Sequence, residues 1–194
     1  MTQEGTPLNK VLRSLFCGAA LTGALTCASL AADFTPCADT LHSLGLFEGT
    51  GSGYALDRAP TRAEAAVMLV RLLGQEDAAR ELTYTAPFTD LEGWEAPYVQ
   101  YLYDNKLTTG ATATTFEPKA KCSAQMYTTF LLRSLGYSDT QNGDFTYTGA
   151  LDFAADNVGL IDESFCDTNN FLRDNVAAMS LEALATPVKA TDIT

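Results

Sequence analysis

Two arginines stand at helix starts, where a cation is out of place. Arg62 lies in Thr61-Arg62-Ala63-Glu64 and Arg173 in Leu172-Arg173-Asp174-Asn175, each heading a segment with helical apolar spacing. A cation in a first helical turn opposes the helix dipole. The planar guanidinium fork suits a carboxylate such as a ketal pyruvate. Both are candidate contacts for an acidic ligand; for Arg173 the competing reading is an ion pair with Asp174 or a neighbouring acid. Thr61 and Glu64 need no ligand to explain them, because Thr-x-x-Glu is a capping box in which hydroxyl and carboxylate each meet the other residue's backbone N–H. They are read first as stability devices flanking the Arg62 site. Trp94 offers a flat apolar face to the axial C–H groups of a sugar ring, and the same face suits core or interface packing.

The other reactive side chains do not assemble into catalytic sets. His42 and Cys37 could stand as base and nucleophile, yet no third group or oxyanion element accompanies them. One His and five scattered Cys lack the paired spacing of a zinc site. The loop Gly49-Thr50-Gly51-Ser52-Gly53 lacks the Lys-Ser/Thr of a phosphate loop and the alternating carboxylates of a calcium loop. The expectation is a protein with no catalytic residues, no metal and no cofactor.

The elements that must position these residues are repeated. Leu69-Val70-Arg71-Leu72-Leu73-Gly74 recurs 62 residues later as Leu131-Leu132-Arg133-Ser134-Leu135-Gly136. Upstream, Leu46-Phe47-Glu48-Gly49 corresponds to Leu107-Thr108-Thr109-Gly110, and Tyr54 to Phe116. A weaker third copy runs from Ala154 through Val158-Gly159-Leu160 to Phe171-Leu172-Arg173-Asp174 and on to Leu184. Each copy reads as a helix, a Gly-containing loop with an aromatic, and a second helix. The second helices carry apolar stripes: Ala66, Leu69, Val70 and Leu73; Tyr127, Phe130, Leu131 and Leu135; and a thinner Val176, Met179, Ser180 and Ala183. Gly74 and Gly136 are placed to stop their helices. First helices are expected from about Ala38 to Leu44 and from Tyr98 to Leu107, with Gln75 to Pro87 and Tyr137 to Asp144 as connections. Arg71 and Arg133, mid-helix and in register, read as solvated or paired with acids. A helix pair cannot bury its stripe alone, so the three pairs should pack on one another. Little strand pattern is visible, and the fold class is all-α.

The chain has 194 residues, 46% hydrophobic and 19% charged, with a formal net charge of −12. Such an acid excess argues against nucleic acid, whose phosphates require clustered Lys and Arg. Residues 1–32 read as a secretory signal peptide: Lys10 and Arg13, an apolar run from Leu15 to Leu30, then Ser29-Leu30-Ala31-Ala32, with cleavage after Ala31 or Ala32. Cys17 and Cys27 follow Phe16 and Thr26, which is no lipoprotein context. No stable membrane insertion is expected after processing, since no later apolar stretch approaches the roughly 20 residues a span needs. Cys37, Cys122 and Cys166 then remain, an odd number that cannot close a disulfide framework.

The repeat spacing together with Thr61-Arg62-Ala63-Glu64, and with Phe88-Thr89-Asp90 followed by Trp94, resembles the S-layer homology family. The resemblance covers roughly residues 34–186. It implies three tandem modules, at 34–80, 85–140 and 144–186 with a tail at 187–194, packed pseudo-symmetrically around a central helical bundle. It implies an exported, non-enzymatic protein of the bacterial cell wall and surface (S-layer). Such a protein binds an anionic, often pyruvylated, secondary cell-wall polysaccharide without a covalent bond in grooves between modules. The motif's Arg is the residue that meets the acidic sugar, which makes Arg62 and Arg173 the ligand-binding candidates, with Trp94, Thr61 and Glu64 beside them. The second copy departs from the pattern, with Ser123-Ala124-Gln125-Met126 lacking both Arg and Glu. That departure supports an alternative: a self-assembly or protein-partner module at the cell surface whose sugar sites have decayed. The acid excess is no bar to an anionic polymer, because at physiological salt the Debye length is about 8 Å and distant charges are screened. Arg62→Ala is expected to weaken wall retention and leave melting nearly unchanged.

Overall fold

The computed structural model describes residues 33–49, 51–162 and 167–190. The signal-peptide reading of residues 1–32, Cys166 and the end of the tail lie outside them. Among the described residues seven α-helices follow in order: α1 (Thr35–Ser43), α2 (Arg62–Leu72), α3 (Glu76–Arg80), α4 (Ala96–Asp104), α5 (Ala124–Ser134), α6 (Ala150–Phe153) and α7 (Arg173–Ala185). A 3₁₀ turn at Tyr147–Gly149 leads into α6, and a π-helical turn at Ala154–Val158 leaves it. Among the described residues the one extended pairing is an isolated antiparallel bridge between Thr61 and Lys121. No described helix is long and apolar enough to cross a membrane.

Helices α2, α5 and α7 meet one another pairwise. Around them, α4 packs on α2, α6 on α5 and α1 on α7. The expected single stripes are too narrow for this arrangement. Helix α2 buries Ala63, Ala65, Ala66, Val67, Met68, Leu69, Val70 and Leu72, nearly its whole circumference, as a helix walled in on all sides must. Helix α5 buries Tyr127, Phe130, Leu131 and Leu132 along with two threonines. At the centre, Tyr127 Oη lies 2.7 Å from Ser180 Oγ, which itself donates to Val176 O at 2.6 Å. Full burial raises the Tyr127 phenol's pKa and keeps it a neutral donor.

The local signals behave as their chemistry dictates. Thr61 Oγ1 accepts from Glu64 N at 3.2 Å, and Glu64 Oε2 accepts from Thr61 N at 2.9 Å, which completes the capping box. Removing that hydroxyl leaves one N–H without its partner. Thr61→Ala is expected to cost about 1 kcal/mol and to lower the melting temperature by about 2–4 °C, read by circular dichroism. Gly74 and Gly136 end α2 and α5 with φ of 65° and 93°, values that favour glycine.

The stretch from Gln75 to Pro87, expected as a connection, contains α3. Five residues are too short for apolar periodicity, and this helix is fixed by charge. Glu76 receives Arg71 Nε at 2.9 Å, Arg80 Nη2 at 2.7 Å and Tyr98 Oη at 2.8 Å. The Arg71 bonds above all hold its carboxyl at about 2, against an ordinary 4.5. The native form thus titrates below the unfolded one. The stabilisation is whole above pH 4.5 and drains away as the pH falls towards 2. Glu76→Gln is expected to remove about 1 kcal/mol at neutral pH and to flatten the acid limb of a pH–stability profile between those values.

Candidate functional site

The N-terminus of α2 is built into the loop between α4 and α5. Arg62 N donates to Ala120 O at 2.9 Å and Ala63 N to Pro118 O at 3.1 Å, while Cys122 N returns a bond to Pro60 O at 2.9 Å. The orphan donors of a helix start are thus met by a loop more than fifty residues away. That loop is held from the other side by Asp90, whose two carboxylate oxygens accept from Phe116 N at 2.8 Å and Glu117 N at 2.7 Å. Although burial works against it, this pair of amides keeps the Asp90 carboxyl below its usual range.

A pocket of about 450 Å³ opens where these parts meet, with Arg62, Thr108, Thr109, Gly110, Glu117 and Arg133 among its walls. Gly110 has φ +81°, and a Cβ there would lie 2.3 Å from the Phe88 ring and 2.7 Å from Thr112 O, so this wall tolerates no side chain. Arg62 is 8% exposed. Its Nε donates to Phe116 O at 2.7 Å and its Nη1 to Met126 Sδ at 3.0 Å, with the guanidinium carbon 5.0 Å from the Phe116 ring. Its Nη2 has no hydrogen-bond partner among the described residues, and no carboxylate pairs with it there. Burial draws its pKa down, yet a guanidinium keeps its charge across the accessible pH range.

Arg133, read from sequence as solvated or paired, is both paired and part of this wall. It grips Asp139 through Nε at 2.9 Å and Nη2 at 2.6 Å, and donates from Nη1 to Leu107 O at 3.0 Å. Its register with Arg71 was the signal that could have marked it. Arg58, which sequence reasoning passed over, holds Glu64 bidentately, with Nη1 to Oε2 at 2.8 Å. Glu64 is therefore occupied by its cap and by Arg58.

The remaining sequence candidates lie elsewhere. Arg173 is 4% exposed and belongs to a second copy of the α2 arrangement. Its backbone N donates to Arg58 O at 3.0 Å, and Asp174 N donates to Leu56 O at 3.2 Å. These acceptors precede Ala120 and Pro118 by 62 positions. The Arg173 side chain donates to Tyr54 O, Met68 Sδ and Glu48 O rather than to Asp174. Trp94, 59% exposed, is not among the pocket walls. Cys122 is a buried thiol whose desolvation pushes its pKa up to about 12, which leaves it unreactive at neutral pH. Among the described residues no cluster of three or more His, Cys, Asp or Glu is placed to hold a metal ion.

Residues 87–123, which carry Asp90, Gly110 and the loop that receives α2, match the S-layer homology domain family. Among similar proteins, the chain is 30% identical over 121 residues to the middle cell wall protein of Brevibacillus brevis, covering 61% of this chain and 12% of that protein. It is 30% identical over 106 residues to a surface layer protein of Brevibacillus choshinensis, covering 53% and 10%. An endoglucanase of a Bacillus species matches at 30% over 108 residues, 50% of this chain and 12% of the enzyme. The chain thus spans about a tenth of the length of the curated relatives it matches. The domain match and the cell-wall and surface-layer relatives indicate a secreted, cell-wall or cell-surface location.

Proposed function

We propose that this protein attaches without a covalent bond to an anionic secondary cell-wall polysaccharide, and that the Arg62 pocket seats an acidic sugar, a pyruvylated one being the best fit. The observation that carries the reading is the unused half of the Arg62 fork. A buried cation with no ion-pair partner among the described residues is costly. Glu117 and Asp90 act on it only at longer range, and a carboxylate entering the pocket would supply both a direct counter-charge and the missing acceptor. Thr108 and Thr109 bring hydroxyls suited to a sugar's polar rim. Arg133 is already neutralised by Asp139 and shapes the wall more than it attracts. In this reading Thr61 and Glu64 act indirectly by fixing the first turn of α2, and Trp94 has no part in the pocket.

The same reading takes 34–80, 85–140 and 144–186 as three modules arranged pseudo-symmetrically about α2, α5 and α7. The cyclic order of packing, α2 with α4, α5 with α6 and α7 with α1, supports it, as does the 62-residue shift between the two sets of helix-start acceptors. The protein acts by binding and not by catalysis. Its test is co-sedimentation with purified sacculi before and after chemical removal of the secondary polymer. Binding is expected to vanish with the polymer; binding that survives stripping would point to a protein partner or self-assembly instead.

A further inference from the structure

The fold contains two guanidinium seats, and they differ at one donor. In the first, Arg62 Nε bonds Phe116 O, Nη1 bonds Met126 Sδ, and Nη2 is unused among the described residues. In the second, Arg173 Nε bonds Tyr54 O at 2.9 Å and Nη1 bonds Met68 Sδ at 3.5 Å, the same pattern on the residue corresponding to Phe116. Here Nη2 also has a partner, Glu48 O at 3.4 Å. Glu48 acts a second time through its side chain, whose Oε2 lies 2.9 Å from Arg71 Nη2. Arg71 is the repeat counterpart of Arg133, and with Glu76 it is held by two carboxylates where Arg133 has one.

The corresponding residues in the first seat are Thr108 and Thr109, both in the pocket wall. In the second they are Phe47 and Glu48. The Phe47 ring, 1% exposed, lies 5.4 Å from the Arg173 guanidinium carbon. By repeat position an aromatic ring thus stands where the first seat has a small hydroxyl. The Glu48 carbonyl takes the donor whose counterpart on Arg62 is unused among the described residues. The Glu48 carboxylate beside it, paired with Arg71, puts a negative charge at the mouth of the seat. The first turn of α5 supplies no third cation: its first residue is Ala124, and Gln125 Nε2 donates to Tyr147 O.

We propose that Glu48, backed by Phe47, seals the second seat, so that the chain takes an acidic sugar at the Arg62 pocket alone. This rests on the sugar-binding reading above. The test is a two-dimensional amide NMR titration of the full chain with the methyl glycoside of a pyruvylated hexose. The wild-type protein is expected to saturate at one site, with shifts concentrated at Thr108 to Ala111 and at Glu117 and little movement at Glu48, Gly49 or Arg71. Glu48 has a half-exposed side chain, so Glu48→Thr should keep the fold. It is expected to reveal a second site, about tenfold weaker because Phe47 and the position 48 carbonyl remain. A wild-type protein with two sites, or Glu48→Thr still with one, overturns the sealing. No saturable site in the wild-type protein overturns the sugar-binding reading itself, a result distinct from either of these.

Discussion

Arg62→Met is expected to lower retention on polymer-bearing sacculi at least thirtyfold while the protein stays folded. The binding loss follows from removing the one cation in the pocket that lacks an acid partner, since truncating a buried charge contact costs about 2–5 kcal/mol of affinity. The stability balance is closer. Phe116 O loses its bond from Nε, worth about 1–3 kcal/mol when the acceptor is left buried. Against that, a desolvated guanidinium is replaced by an apolar chain of similar length, which recovers part of the cost of burying it. Arg62→Ala differs because it also leaves a cavity among Phe116 and Met126, and is expected to cost about 2–3 kcal/mol. The sequence-based expectation of unchanged melting for the alanine variant is therefore revised: the buried contacts to Phe116 and Met126 assign that behaviour to methionine. Co-sedimentation together with thermal melting of both variants checks the pair. Full retention by Arg62→Met would remove Arg62 from the binding site.

Arg173→Ala is expected to show the opposite separation. Its three nitrogens tie α7 to Tyr54, Met68 and Glu48. Its loss takes the partner from two part-buried carbonyls and empties the space around a side chain that is 4% exposed. A destabilisation of about 3 kcal/mol follows, a drop of roughly 6–12 °C in melting temperature for a chain of this size. Sugar binding measured well below that melting point should remain within about twofold of wild type. A large binding defect with unchanged melting would show that this arginine meets ligand after all.

These two arginines show where sequence reading succeeds and where it stops. Their type, their place at the first helical position and their opposition to the helix dipole were all visible, and both are special in the structure. Which of them keeps a free donor was not visible, because Glu48, 125 positions before Arg173, decides it. Local signals read well for a similar reason: the Thr61–Glu64 box and the Gly74 and Gly136 stops each need only neighbours three or four residues off. Helix α3 was missed because its five residues are held by ion pairs and a tyrosine hydroxyl brought in by tertiary packing. The apolar stripes read for α2 and α5 are too narrow, since a repeat spacing does not reveal that each such helix is surrounded by helices distant in sequence. Trp94 was legible as an aromatic able to stack, and its position outside the pocket follows from the turn before α4.

The packing of α1 against α7 gives this small stack a property that open repeat arrays lack. In an open ladder the terminal units have one neighbour each, so such ladders fray from their ends. Here the first and last of the described helices cover one another, so in the three-module reading proposed above no module is a terminal rung. Melting should therefore be all-or-none, with amide protons in α1 and α7 exchanging as slowly as those of α5. Trimming either helix should release the whole ring at once, where an open ladder would only be shortened.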